Sequence, residues 1–248
     1  MTTDPILIRI LREAEQTARE GGRFLAVFDL DSTLFDLTLR VSKIIDAFAD
    51  DPGFRAKYPV ECEILREVKV ETADWGIGES VARAGLFQAE RPAFYRDLHD
   101  FWAKCFFSDS FLHHDEPLPG AVKFVHELRS RGAQVMYLTG RDEPRMLKGT
   151  RESLRSRGFP VDVDGVDLVL KPEAGLDDAA FKRDVLREAS KKYRRIWLFE
   201  NEPVNLNLIG RELPHIGLVY IVSTHSGREE CADTLARIDH FEVDAESF

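Results

Sequence analysis

Apolar residues fall along this chain in two rhythms. One is helical. Ile6, Ile10, Leu11 and Ala14 recur among charged neighbours, which predicts a helix over 5–20 stopped by Gly21-Gly22. The other is the short continuous run Phe24-Leu25-Ala26-Val27-Phe28, which suits a parallel strand buried on both faces. The alternation resumes much later. Pro119-Gly120 opens a helix through Arg129, with Val122, Val125 and Leu128 on one face beside Phe124. Residues 134–138 read as a strand with Thr139 at its tip. Asp142 and Pro144 suit the first turn of a helix over 143–157, which Gly158 ends. Further strands are predicted at 166–170, 196–199 and 216–222, and further helices at 178–192 and 229–239. Strands alternating with helices imply βαβ units and a parallel sheet, hence an α/β fold.

Residues 36–118 break this rhythm. Val41, Ile44, Ile45 and Phe48 keep helical spacing, and Trp75, Phe94, Tyr95, Phe101, Trp102, Phe106 and Phe107 follow, but no strand-like run does. The aromatic content predicts a second small core, a mostly helical insertion at 36–118. Residues 1–35 and 119–248 then form the α/β core. The plainer alternative is that the stretch continues the same domain.

Composition narrows the class. The chain has 248 residues, between one and two domains, with 44% hydrophobic and 31% charged residues, as in a folded and soluble protein. Its formal net charge of −10 argues against nucleic acid as a partner, since a phosphate backbone needs a basic face. A small anionic substrate in a local positive pocket remains compatible. The longest apolar runs are strand-sized, so no membrane span is expected. Met1-Thr2-Thr3-Asp4-Pro5 lacks the basic start of a signal peptide. Cys62, Cys105 and Cys231 are far apart and odd in number, which suggests reduced thiols in a cytoplasmic protein.

Ligands of open parallel sheets bind at the carboxyl ends of the strands, so the strand tips carry the candidate chemistry. The first tip reads Asp29-Leu30-Asp31-Ser32-Thr33. Carboxylates at i and i+2 can share one side of an extended chain and suit Mg²⁺. One can serve as nucleophile and the other can carry a proton. Read alone, the pair could equally cap a turn. The next tip is Thr139-Gly140-Arg141-Asp142, where a hydroxyl and main-chain N–H groups could hold a phosphoryl oxygen, or where a helix is simply capped. Glu200-Asn201-Glu202-Pro203 brings acids to another tip, a metal site or a turn closed by proline. Lys171 follows a strand directly. Lys182 stands one helical turn after Asp178 and can pair with it. Either lysine could neutralise a phosphate, and either could be a solvated surface charge. His113-His114 and Asp115 read best as a polar loop, since adjacent side chains diverge.

In their order these segments resemble the haloacid dehalogenase (HAD) superfamily of hydrolases. Phe28-Asp29-Leu30-Asp31-Ser32-Thr33-Leu34 resembles its first motif, Leu138-Thr139-Gly140-Arg141 its second, a lysine within 171–182 its third, and Phe199-Glu200-Asn201-Glu202-Pro203 its fourth. The resemblance implies a Rossmann-like core with the insertion as a helical cap that chooses the substrate. It implies a Mg²⁺-dependent phosphomonoesterase acting through an aspartyl-phosphate. Asp29 would be the nucleophile and Asp31 the acid and base. Thr139, Gly140 and Arg141 would hold the substrate with Lys182, favoured over Lys171. The metal would sit on Asp29, Asp31 through its main-chain carbonyl, Glu200 and Asn201. Having Asp31 favours a phosphatase over a dehalogenase. Glu200-Asn201 departs from the aspartates usual in the fourth motif, which keeps two alternatives open. One is a haloacid dehalogenase or phosphonate hydrolase, the other a non-catalytic module that binds phosphorylated ligands. Arg40, Lys43 and Arg83 could meet a substrate, but each ranks below its reading as a surface charge. The expected partner is a small phosphorylated molecule. No motif in the cap names it, and none gives an oligomeric state.

Overall fold

In chain order the elements are α1 (Pro5–Arg19), β1 (Phe24–Phe28), β2 (Phe35–Asp36), α2 (Thr38–Asp50), α3 (Pro52–Lys57), α4 (Pro59–Leu65), α5 (Gly78–Arg83) and α6 (Pro92–Phe106). A 3-10 helix over Asp109–His114 follows, then β3 (Glu116–Pro117), α7 (Ala121–Ser130), β4 (Gln134–Asp142), α8 (Glu143–Ser156), β5 (Val166–Lys171), α9 (Asp178–Ala189), β6 (Arg195–Glu200), α10 (Pro203–Glu212), β7 (Gly217–Ile221) and β8 (Ala236–Ile238). This computed structural model describes residues 5–243. Residues 1–4, which bear on the signal-peptide reading, and 244–248, the last of the expected core, lie outside the described residues.

All five residues of β1 are buried because its two faces meet two different cores. Phe24, Ala26 and Phe28 pack with Leu7, Ile10 and Leu11 of α1 and Phe124, Val125 and Leu128 of α7. Leu25 and Val27 pack with Leu186 of α9 and Leu206 and Ile209 of α10. A strand covered by helices on both sides has no polar face, which is why its sequence runs apolar instead of alternating. Phe28 stacks on Phe199 of β6 at 4.6 Å between ring centres, tying the two central strands side by side. The six parallel strands lie in the order β5-β4-β1-β6-β7-β8, a Rossmann-like α/β sheet.

Between β2 and β3, which pair antiparallel, the chain is helical. Val41, Ile45 and Phe48 of α2 form a separate apolar cluster with Phe94 and Leu98 of α6 and Cys62 and Leu65 of α4. The two strands bounding this stretch were invisible to periodicity because each has only two residues.

One element differs in kind from expectation. Residues 229–239 form no helix. The chain stays irregular until Ala236–Ile238, which adds a strand parallel to β7, with Val222 N–H also donating to the Ile238 carbonyl at 2.7 Å. An open sheet edge offers main-chain partners that an isolated amphipathic turn does not, and Ile238 is buried there. Among the described residues no helix is long and apolar enough to cross a membrane.

Candidate active site

The loop after β1 is a tight turn, not an extended chain. The N–H groups of Thr33, Leu34 and Phe35 all point to the Leu30 carbonyl. Ser32 sits at φ 57°, a conformation costly for a non-glycine residue, and its carbonyl accepts from the Ser223 hydroxyl at 2.6 Å. As a result Asp29 and Asp31 do not share one set of partners. They go to two different clusters of charge.

Asp29 belongs to the first. It is buried, and Lys182 Nζ donates to its Oδ1 at 2.8 Å and to Glu200 Oε2 at 2.7 Å, with Asp178 Oδ2 at 3.6 Å. Lys182 itself is 1% exposed. Asp177 caps α9 through the Ala180 N–H, which fixes the turn carrying both Asp178 and Lys182. Burial works against the charge on Lys182, but Asp178, Asp29 and Glu200 outweigh it and raise its pKa well above the usual lysine value. Burial, and then the charges of Glu200 and Asp178, push Asp29 up to about 8 although Lys182 opposes them. The cluster thus holds three carboxylates to one ammonium.

Asp31 belongs to the second. Arg141 grips both its carboxylate oxygens, Nη2 to Oδ1 at 2.5 Å and Nε to Oδ2 at 3.1 Å, while Arg40 Nη2 donates to Oδ1 at 2.6 Å. Behind them lies Asp115, fully buried, 2.7 Å from Arg141 Nη2 and 3.1 Å from Arg40 Nε. Two aspartates and two arginines make a neutral set. Burial would raise the pKa of Asp31, but Arg141 and Arg40 together drive it well below the usual carboxylate range. Burial pushes Asp115 the other way.

The remaining predicted residues surround the same space. Thr139 is 1% exposed, and its hydroxyl accepts from the Arg141 N–H at 3.3 Å. At Gly140 a Cβ would stand 2.5 Å from Asp178 Oδ1, so only glycine lets β4 approach α9 this closely. Glu200 Oε1 accepts the N–H groups of Asn201 and Glu202 at 3.1 and 3.0 Å, and Asn201 Oδ1 accepts from the Thr33 hydroxyl at 3.1 Å. Lys171 lines the cavity but bonds the Leu176 carbonyl at 3.2 Å, so the structure brings Lys182 and not Lys171 to Asp29. The cavity, about 490 Å³, also takes in Ser223 and Thr224 beyond β7 and side chains of α2, α6 and residues 70–76.

Several residues here escaped the sequence reading. Arg40, ranked as a surface charge, is 0% exposed and lies 4.1 Å over the Phe106 ring. It occupies the same stripe of α2 as Ile44 and Phe48, four and eight residues on, and that position was a legible sign of burial. Lys43 and Arg83 stay exposed, paired with Asp46 and Asp74. Asp115 was read as part of a polar loop, and nothing local in the sequence marks it as buried. Asn205, which donates to Asp178 at 3.3 Å, lies just beyond the fourth motif.

The donors fit a small hard cation. Three carboxylates outnumber the single ammonium, and one oxygen of Asp29 has no hydrogen-bond partner among the described residues while that residue lines the cavity. Among the described residues no group of three or more His, Cys, Asp or Glu side chains is placed to hold a metal ion. Mg²⁺ asks for less, since it keeps several waters and binds through one or two carboxylates and the substrate's phosphate.

A family model for haloacid dehalogenase-like hydrolases matches residues 25–205. In structure the chain is similar to a protein described as a haloacid dehalogenase-like hydrolase from Burkholderia xenovorans LB400, with a TM-score of 0.52 and 17% identity over 91% of this chain and 98% of that one. It is also similar to a protein described as a phosphatase from Clostridium difficile, with a TM-score of 0.52 and 11% identity over 84% of this chain and 89% of that one. At such identities these likenesses show the fold alone. A comparison with curated proteins finds no match.

Proposed function

The chain belongs to the haloacid dehalogenase-like hydrolases, and from that premise we propose that it hydrolyses phosphate monoesters through an aspartyl-phosphate on Asp29. One observation carries this reading. Lys182 holds one oxygen of Asp29 at 2.8 Å while the other has no hydrogen-bond partner among the described residues, and Asp29 lines a cavity that Thr139 and Gly140 also line. That is how a carboxylate nucleophile must be presented, oriented by one oxygen and free at the other.

In the first step the free oxygen of Asp29 forms a bond to phosphorus, and the ester P–O bond breaks with its electron pair going to the alcohol oxygen. In the second, water attacks the phosphorus, the Asp29–P bond breaks with its electron pair returning to the Asp29 carboxylate, and dihydrogen phosphate is released, one of its protons passing through solvent to the alcohol oxygen expelled in the first step. Lys182 and the Thr139 hydroxyl offset the charge on the phosphoryl oxygens, and positioning and neutralisation of this kind are most of what phosphoryl transfer needs. Mg²⁺ would be held by Asp29 and the Asp31 main-chain carbonyl, with Glu200 and Asn201 beside them, and would supply the positive charge that lets carboxylate and phosphate meet. Asp31 has both oxygens on guanidinium donors, so in this arrangement it accepts hydrogen bonds and has no proton to give to the leaving oxygen.

That same contact favours a second reading, hydrolysis of a carbon–halogen bond, because a halide leaves without a proton. The test is turnover of a generic aryl phosphate with Mg²⁺ and of a 2-haloacid without it, by the unsubstituted chain and by Asp29→Asn. Turnover of the phosphate, abolished in a folded Asp29→Asn, is expected. Full activity in that variant would sink the mechanism, and turnover of the haloacid alone would replace it with the second reading.

A further inference from the structure

The wall of the cavity opposite Asp29 is contributed by residues 36–107, and its chemistry is lopsided. It is built from Val41, Val70, Trp75, Trp102, Phe106 and Phe107. No Lys, Arg or His from this stretch lines the cavity among the described residues. Of the acids there, Asp74 and Glu71 pair with Arg83 at 2.5 and 3.6 Å, and Asp36, which has no ion pair among the described residues, would repel a second anionic group on a substrate. Arg40 and Arg141 cannot be recruited cheaply, because each is already bound to Asp31 and Asp115. On the sheet side, Lys171 and Arg228 also line the cavity and among the described residues bond only neutral oxygens, those of Leu176 and Ser226, so positive charge lies on the sheet side and not on this wall.

Three rings of this wall pack against one another. Trp102 lies 4.7 Å from Phe106 and 6.0 Å from Phe107 between centres, and Phe106 and Phe107 meet edge-on at 5.1 Å. Arg40 sits over Phe106 from behind. Two members stay wet in spite of their size, Trp75 at 50% and Phe107 at 38% exposure. The Trp102 Nε1–H is buried without an acceptor, an unmet donor among the residues that line the space. Flat, preordered, half-solvated rings gain most by covering another flat ring.

We propose, resting on the hydrolase reading above, that the site takes phosphate monoesters of planar aromatic alcohols. The phosphoryl group lies at Asp29, Thr139 and Lys182, and the aromatic body lies on Trp75, Trp102 and Phe107. Trp75 and Phe107 are specificity-determining residues, since the leaving group contacts them and the reacting phosphorus does not.

Aryl esters are intrinsically more reactive, so the test separates affinity from chemistry. Binding of 2-naphthyl phosphate, hexyl phosphate, glycerol 3-phosphate and fructose 1,6-bisphosphate to the full chain carrying Asp29→Asn is measured by calorimetry with Mg²⁺. Turnover of the same four esters is measured for the unsubstituted chain. The naphthyl ester is expected to bind at least about tenfold more tightly than each of the others. Adding Trp75→Ala is expected to remove about tenfold of that affinity, with Trp75→Phe restoring most of it. Equal binding of hexyl phosphate, or tighter binding of either sugar-type ester, overturns the inference while leaving the hydrolase reading intact if the esters are turned over. Absence of turnover for all four defeats the hydrolase reading and this inference with it.

Discussion

Replacing Arg40 by Met keeps a side chain of similar reach in a position that is 0% exposed and deletes only the guanidinium. The four charges Arg40, Arg141, Asp31 and Asp115 sum to zero, so the deletion leaves one anion in excess, with Asp115 also 0% exposed. Stripping one partner from a buried ion pair costs about 3–5 kcal/mol, because the remaining charge stays desolvated. Loss of the cation over the Phe106 ring at 4.1 Å adds about 1 kcal/mol, partly offset by the Met sulfur against the same ring. Arg40→Met is therefore expected to lose about 3–5 kcal/mol at neutral pH, which for a chain of 248 residues lowers Tm by roughly 6–20 °C. Urea unfolding gives the free energies. A double-mutant cycle with Asp115→Asn removes one charge of each sign, so the double variant is expected to be more stable than the two single losses predict, by at least about 1 kcal/mol. Lys43→Met, nearly a turn further along α2 and paired with Asp46 in the open, serves as the control and is expected to change stability by under about 0.5 kcal/mol. A loss that small for Arg40→Met, or single effects that simply add, would refute the reasoning that the four charges form one unit.

Three further outcomes are expected. Lys182→Met strands Asp29, Asp178 and Glu200 without a cation, so it is expected to abolish turnover and cost about 3–5 kcal/mol at pH 7, which urea unfolding checks. Without a divalent cation, folding raises the Asp29 pKa from 3.8 to about 8, so the folded state keeps a proton that the unfolded state loses and the stability due to Asp29 drains away as pH rises through that window. Asp29→Asn lacks this slope and is expected to gain on the unsubstituted chain between pH 5 and pH 8, and a gap that stays constant with pH would count against the titration. Gly140→Ala places a methyl 2.5 Å from Asp178 Oδ1, and the displacement is expected to cost about 1–3 kcal/mol in unfolding and to lower turnover with it.

The sheet was legible because burial on both faces leaves no polar interruption. Phe24–Phe28 and Ile196 to Phe199 could be read from composition and length alone, and the tips they deliver, Asp29 and Glu200, fell where expected. The run at 229–239 misled because a helical pattern of apolar residues is also satisfied by a short edge strand with one buried residue, Ile238, and sequence does not show which sheet edge is open. Order along the chain left Lys171 as a rival to Lys182, which was only favoured. In the fold the cap at Asp177 orients α9 so that Lys182, and not Lys171, reaches Asp29. Asp115 was beyond reach for a different reason. Its partners lie 26 and 75 positions away, at Arg141 and Arg40, and only the closed fold brings them together.

The i, i+2 spacing of Asp29 and Asp31 looked like a shared metal site, and the geometry gives the two residues opposite tasks. The turn at Ser32 sends Asp29 toward an ammonium that three carboxylates must share, and Asp31 toward two guanidiniums that one further carboxylate balances. The first cluster is short of positive charge, and the second has none to spare. An incoming phosphoryl group must therefore be neutralised at the first cluster, by Lys182 and whatever cation arrives with it. Arg40 and Arg141 instead lock Asp31 to the helical stretch through α2 and Asp115. On the proposed reading, this division lets a chain of net charge −10 still offer an anion a place to bind. With both arginines held by Asp31 and Asp115, the lining contributed by residues 36–107 is left to its aromatic rings, which is the ground for the proposed aromatic substrate.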